Sequence, residues 1–318
     1  MNCFEPSAQL HAAGPSAATA DPAARRVAIV ANPYSGARRN GALVKRLVAA
    51  LESQGLEPHE IRQLDELAAA RSPQVARQYR CVVAAGGDGT LHRVLNEQLP
   101  LPIALLPLGN ENLFARYFGY RRDPEAIAQA IAAGRVRPID LGSVNGQRFS
   151  IVVSAGFDGE VAHRLARWRH RGTHLRRVNS RSYVAPVVGA ACSYQYPLVE
   201  LNADGQIVRG ALAMIFNLPA YCLGLQLTPD ASCDDGWLDW VVFTRPGRLA
   251  LADYALSVVL GRHRARGDVL HGRARRLTMT SETVVPVEVD GEAAGHTPVT
   301  VEVIPRAASV VLPLDAGA

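Results

Sequence analysis

The feature that most restricts the fold is a short apolar run, Cys81–Ala85, that stops on Gly86-Gly87-Asp88-Gly89 and passes through Thr90 into a helical pattern from about Leu91 to Gln98. A buried strand turning on glycines straight into a helix belongs to a parallel sheet, whose strands need helical crossovers and covered faces. The same order recurs on either side. Val27–Ala31 is predicted to be a buried strand that Asn32-Pro33 and Ser35-Gly36 break. Gly41–Gln54 then places Leu43, Leu47 and Leu51 on one helical face, and Gly55 ends it. A weaker strand is expected near Glu57–Arg62 and a helix around Asp65–Tyr79, interrupted at Pro73. Ile103–Leu106 is another strand, closed by Pro107-Leu108-Gly109 and followed by helices near Asn112–Phe118 and Pro124–Ala133. Strand alternating with helix implies an α/β domain built on a parallel sheet.

The rhythm changes after about Gly134. Alternating segments predict strands at Arg148–Ser154, Leu198–Asn202, Ala211–Asn217, Trp237–Phe243, Arg276–Thr280, Val284–Val289 and Val299–Val303. Asn145-Gly146, Asp204-Gly205, Asp235-Gly236 and Asp290-Gly291 are hairpin signals between them. The pattern suggests a second, antiparallel sandwich domain, interrupted by helices near Glu160–His170 and Leu249–Leu260. The expected divisions are a disordered tail over 1–24, an α/β domain over 25–143 and a β-rich domain over 144–305.

A chain of 318 residues that is 48% hydrophobic can build both domains. The net charge is +5, almost wholly arginine, since Lys45 is the only lysine. No Gly-Lys-Ser/Thr occurs, so any phosphate cradle is not a Walker loop. Cys3, Cys81, Cys192, Cys222 and Cys233 show neither C-x-x-C nor zinc spacing and fit a reducing cytoplasm. The first 24 residues lack the basic start and apolar stretch of a secretory signal, and no run reaches the ~18 apolar residues of a membrane span. Any membrane contact is therefore expected to be peripheral.

The glycine loop carries the chemistry. Gly86, Gly87 and Gly89 let a phosphate approach the backbone, whose amides and following helix start favour an anion. Thr90 can cap the helix and donate to a phosphate oxygen. Asp88 is unusual for an anion site and suits a role in orienting the loop or a metal-bound water. Asn32-Pro33-Tyr34-Ser35-Gly36 and Leu106–Asn112 also follow strands, so three loops converge on the edge of a parallel sheet where ligands bind. Asn110 and Asn112 offer uncharged hydrogen bonds there, and Asn112 can equally cap a helix.

Together these stretches resemble the diacylglycerol kinase catalytic family, its soluble bacterial lipid kinases and their sphingosine kinase relatives. The resemblance is carried by Asn32-Pro33 with Ser35-Gly36, Gly86–Thr90, Pro107–Asn112 with Phe114-Ala115-Arg116, Ser154–Asp158, Asp234–Asp239 and Asp290-Gly291-Glu292. The glycine loop alone is shared with NAD kinases; the later motifs narrow it to lipid kinases. The resemblance implies ATP held by Asn32, Pro33, Ser35, Gly36, Gly86, Gly87, Asp88, Gly89, Thr90, Gly109, Asn110 and Asn112. It implies an active site in the cleft between the domains and a last segment, 306–318, that returns to the first domain. It implies Mg²⁺ at Asp235 with main-chain oxygens near Ser232 and Trp237, besides any Mg²⁺ carried by ATP. It places the general base at Glu292, with Asp290 orienting Glu292 or the nucleotide. The sequence departs from the family at Asn110, commonly Thr, and at Leu113, often Asp.

The function expected is transfer of the γ-phosphate of ATP to a lipid hydroxyl, with diacylglycerol as the default acceptor. A sphingoid base, ceramide, NAD or a non-catalytic nucleotide- or lipid-binding role remain as alternatives. Two arginine-rich stretches stand out: His163–Arg181, with Arg164, Arg167, Arg169, Arg171, Arg176, Arg177 and Arg181, and Arg262–Arg276. In the first, Leu165 and Trp168 fall on one helical face, a basic and apolar surface suited to an anionic membrane at the inner face of the cell. The alternative is a solvated or flexible surface. No nucleic-acid motif accompanies the charge, and a homodimer is left open.

Overall fold

The computed structural model describes residues 23–31, 37–61, 63–169 and 184–314. The expected tail up to residue 22, the sites Asn32, Pro33, Ser35 and Gly36, and Arg171, Arg176, Arg177 and Arg181 of the first arginine stretch lie outside the described residues.

Four strands pair in parallel in the order β2 (Glu57–Ile61), β1 (Arg26–Ala31), β3 (Tyr79–Gly86) and β4 (Ile103–Pro107). Every residue of β3 and β4 is buried, as parallel strands covered on both faces require. The cover comes from α1 (Ala37–Ser53), α3 (Asp88–Asn96), α4 (Leu113–Tyr117) and α5 (Pro124–Ala133). The stretch predicted as one helix over Asp65–Tyr79 is instead a 3₁₀ segment, Leu64–Arg71, and a single turn, α2 (Pro73–Ala76). Pro73 occupies a first-turn position, where its missing N–H costs nothing, so the chain restarts there rather than continuing. α5 has its local signals in place: Asp123 accepts from the Ala126 amide at 3.1 Å, Pro124 opens the first turn, and Gly134 ends it at φ +69°.

The second half builds β5 (Val136–Val144), β6 (Gln147–Phe149), β7 (Val152–Gly156), α6 (Phe157–Arg169), α7 (Val184–Ser193), β8 (Val199–Ala203), β9 (Gln206–Gly210) and β10 (Leu212–Phe216). The two-residue strands β11 (Ala220–Tyr221) and β12 (Leu225–Gln226) follow, then β13 (Leu238–Phe243), α8 (Arg248–Val259), β14 (Val269–Ala274), β15 (Arg276–Thr280), β16 (Pro286–Val289), β17 (Glu292–His296) and β18 (Val299–Val311). Six of these form an antiparallel sheet in the order β14-β13-β10-β7-β16-β17. Phe149, Val153, Ile215, Trp240, Leu277, Met279, Val287 and Val301 fill the core between it and β18-β15-β8. The sandwich expected from alternation is there, and the chain combines it with a parallel α/β layer.

The sandwich is not closed off from that layer. β18 runs beyond the expected Val299–Val303. Its first half pairs with β15 and β5; after a break at Pro305–Ala307 it continues along β5 and sets Val310 beside Ile103 of β4. One ten-stranded sheet therefore joins both halves. The segment predicted as one strand, Arg148–Ser154, is two strands in two sheets, because the chain turns from β6 to β7 at Ser150-Ile151. The second arginine stretch is neither flexible nor merely solvated. It includes β14, and Arg264, Arg266, Arg273 and Arg276 pair with Asp230, Asp253 and Asp268, Asp235 and Asp239, and Glu302.

Candidate active site

Backbone sterics build the glycine loop. A methyl group on Gly109 would lie 2.5 Å from the Cα of Gly87, and one on Gly86 would lie 2.1 Å from the Thr90 hydroxyl oxygen. The loops after β3 and β4 thus pack backbone against backbone, which only glycine allows. Leu108 N–H donates to the Gly86 carbonyl at 2.8 Å and locks the two loops together. A methyl on Gly89, by contrast, would meet only one atom, Oε1 of Glu292 at 3.6 Å. The loop is filled on the side that faces the sheet and open on the side that faces Glu292.

Thr90 does not cap the helix. The cap position is Gly87, and Thr90 is the third helical residue, buried against Gly86. Asp88 turns inward. Its two oxygens accept the amides of Leu113 and Phe114, each at 3.2 Å, and tie the glycine loop to the start of α4. Burial pushes its carboxyl above the ordinary value against the pull of those amides. Leu113, where a family carboxylate is absent, contributes its backbone here. Asn112 sits in the left-handed region at φ +49° and makes no side-chain cap. Its amide bridges both the N–H and the carbonyl of Gly109, at 2.9 Å each. Asn110 is exposed at the tip of the same loop. Asn40 of α1 reaches the Leu108 carbonyl at 3.4 Å, so the helix that follows the first loop also touches the third.

The hairpin between β16 and β17 brings the second half to this loop. Asp290 (φ +49°) and Gly291 (φ +84°) form its turn, the backbone that an Asp-Gly pair favours. The Asp290 side chain is 1% exposed. Its Oδ1 accepts the amides of Ile151 and Val152, and its Oδ2 accepts the amide and hydroxyl of Ser150, all between 2.9 and 3.2 Å. His92 Nδ1 lies 3.2 Å from the same carboxylate, and Gln147 lies 2.8 Å from the other ring nitrogen. Asp290 thereby ties together the β6–β7 turn, α3 and the hairpin that presents Glu292. Glu292 is the carboxylate of the motif that faces outward, 42% exposed, and Arg169 Nη1 holds both its oxygens at 2.7 and 2.8 Å.

Behind the hairpin lies a buried acidic chain that sequence reasoning missed. Glu288 accepts the Gly291 amide at 2.7 Å and the Ser154 hydroxyl at 3.0 Å, while Tyr221 donates to Asp158. Burial raises the carboxyls of both Asp158 and Glu288, and the charge of Asp158 raises Glu288 further. Asp158 also lines an apolar cavity of about 170 Å³, walled by Phe157, Met214, Leu225, Phe243, Leu251 and Val258. The strand alternation hides Glu288, since Val287 and Val289 take the core side of β16 and Glu288 falls where alternation predicts an outward polar residue; Asp158 lies in a motif but shows no partner in sequence.

Ser232, Asp235 and Trp237 fall on one turn before β13. The Asp235 carboxylate accepts the Trp237 amide at 3.0 Å and pairs with Arg273 at 3.1 Å. A metal ion there would take the place of the Arg273 guanidinium beside Asp235, with main-chain oxygens near Ser232 and Trp237 as its further ligands. The open face of the glycine loop fits an anionic phosphate chain. Of the first arginine stretch, Arg164 and Arg167 pair with Glu160 and Arg169 with Glu292. Leu165, expected on an outer face beside Trp168, is buried, because α6 turns that face onto the sandwich.

Residues 26–144 match the family model of the diacylglycerol kinase catalytic domain, and residues 151–312 that of the YegS C-terminal NAD kinase beta sandwich-like domain. The chain is 25% identical over 301 residues to a diacylglycerol kinase of Bacillus subtilis (strain 168), covering 92% of this chain and 97% of that one. It is 23% identical to a diacylglycerol kinase of Staphylococcus carnosus (strain TM300), covering 86% and 90%. A crystal structure of a diacylglycerol kinase from Bacillus anthracis str. Sterne shares the fold, with a TM-score of 0.69 at 22% identity over 92% of this chain and 99% of that one. With its glycine loop facing the hairpin of the sandwich and both halves matched in order, the chain belongs to the bacterial diacylglycerol kinase family.

Proposed function

We propose that the protein is an ATP-dependent lipid kinase that phosphorylates the free hydroxyl of diacylglycerol. The observation that carries this reading is the approach of Glu292 to the open face of Gly89, which puts a carboxylate opposite a phosphate cradle. ATP supplies the γ-phosphoryl group. Phosphoryl transfer depends mainly on positioning and on removal of the attacking hydroxyl's proton. The amides around Gly89 and the start of α3 hold the donor's phosphates. Glu292 accepts the proton, and Arg169 fixes the orientation of its carboxylate. Asp88 and Asp290 act on the frame, one holding the glycine loop and the other the hairpin. Mg²⁺ belongs to this reading as the counter-ion of the phosphates.

The apolar cavity supports a lipid acceptor over NAD. Its walls suit acyl chain, and Asp158 at its edge connects through Ser154 and Glu288 to the amide beside Glu292. The test is transfer from labelled ATP to diacylglycerol, sphingosine, ceramide and NAD by the purified protein. Phosphatidate is the expected product, and transfer to NAD alone overturns the reading. Glu292→Gln should lower kcat by about 10²–10⁴ with little change in the KM for ATP. An undiminished kcat would remove Glu292 from the role of base.

A further inference from the structure

The helix α8 carries large apolar side chains on both its faces. Its inner face carries Leu251, Tyr254 and Val258 into the wall of the cavity. Its outer face carries Leu249, Leu256 and Leu260, spaced at i, i+7 and i+11 and so in one stripe, with Val259 beside them. These side chains are 82%, 59%, 55% and 64% exposed. An exposed stripe of large aliphatic side chains is normally covered by protein or by lipid, yet no described element covers this one. Leu223, 71% exposed, projects from the turn between β11 and β12, whose Tyr221 and Leu225 line the same cavity. The exposed leucines therefore stand next to the residues that wall the cavity.

The charges that flank the two ends of the helix have one sign. Arg248 opens the helix and Arg262 follows it, both exposed. The one acid of α8, Asp253, lies in the stripe between Leu249 and Leu256 and is neutralised by Arg245 and Arg266. Among the described residues no helix is long and apolar enough to cross a membrane. An acceptor that resides in a bilayer must therefore enter the cavity from a surface the protein rests on.

We propose that the outer face of α8, with Leu223, is the surface that inserts into an anionic lipid bilayer and sets the cavity against the acyl layer. The proposal rests on the lipid-kinase reading and replaces the arginine stretch of α6 as the membrane contact, because the described arginines there are paired within the protein. Leucines at this depth contribute apolar burial, and the flanking arginines add attraction to anionic headgroups.

The test compares the full chain with Leu249→Glu/Leu256→Glu, neither residue being in the cavity wall. Sedimentation is measured with phosphatidylcholine vesicles, with and without phosphatidylglycerol. Activity is measured on dihexanoylglycerol kept below its micellar concentration. The expected result is binding of the wild type that phosphatidylglycerol strengthens, a loss of about tenfold or more in the variant, and unchanged turnover of dihexanoylglycerol. Equal vesicle binding by both proteins, or none by the wild type, overturns the proposal. A wild-type dimer that the double substitution dissociates, without effect on vesicle binding, assigns the stripe to a second copy instead. Vesicle binding lost in the variant while neither protein phosphorylates dihexanoylglycerol keeps the docking surface and overturns the lipid-kinase reading.

Discussion

Removal of the Asp290 carboxylate separates a structural anchor from a chemical group. Asp290 accepts three main-chain amides, Ser150, Ile151 and Val152, at 2.9, 2.9 and 3.1 Å, and the Ser150 hydroxyl at 3.2 Å. Those three residues are buried to within 2%. Asp290→Ala strands the amides, each at about 1–3 kcal/mol, partly relieved where water can enter the gap. The expected loss of stability is about 3–5 kcal/mol, read as a fall in the urea midpoint by circular dichroism. Asp290→Asn keeps one acceptor oxygen but turns an NH₂ toward amide donors, so it should fall between the two. Activity should decline in both, since the turn that presents Glu292 loses its anchor, and the decline should follow the loss of stability. A variant within about 1 kcal/mol of the wild type that nonetheless loses turnover would refute the reasoning and place Asp290 on the substrate.

The other predictions address the loop and the buried acids. Gly109→Ala brings a methyl to 2.5 Å of the Gly87 backbone and should cost about 1–3 kcal/mol and weaken ATP binding; Gly89→Ala meets only the flexible end of Glu292 and should fold normally while raising the KM for ATP, so equal stability losses in the two would contradict the packing described. Glu288 and Asp158 have carboxyls raised by burial, so the native chain holds protons that the unfolded chain releases above the ordinary Glu value of 4.5. Their contribution to stability is present below that value and declines as pH rises through the raised one. Urea midpoints should therefore fall as pH rises above the ordinary carboxylate range, and Glu288→Gln should flatten that slope. An unchanged slope would show that the pair does not titrate in this range.

The parallel half was legible because its signals are local. β3 and β4 are apolar throughout, and each ends on a glycine turn that leads into a helix. The sandwich strands were legible where residues alternate against solvent, as in β8 and β15. What escaped was set by distant partners. β5 has an irregular burial pattern and is a strand because β18 pairs along eight of its residues. The split of Arg148–Ser154 depends on Asp290 accepting the amides at the turn, and no pattern within that segment announces it. Arg169 was visible as charge, but its partner Glu292 is remote in sequence and only the fold brings them together.

Site residues divide along the same line. The motif letters Asp88, Asp290 and Glu292 read alike in sequence, as acids beside glycines. Burial separates them. Asp88 and Asp290 are enclosed and surrounded by main-chain amides, so their charge is committed to holding two loops in place. A group in that position cannot exchange a proton with a substrate without releasing the backbone it holds. Glu292 is bound by a side chain instead, and a guanidinium can move away while the strand beneath stays paired. The function proposed above therefore gives the chemistry to the motif acid held by a side chain rather than by the backbone, and the two enclosed acids account for its place opposite the open glycine loop.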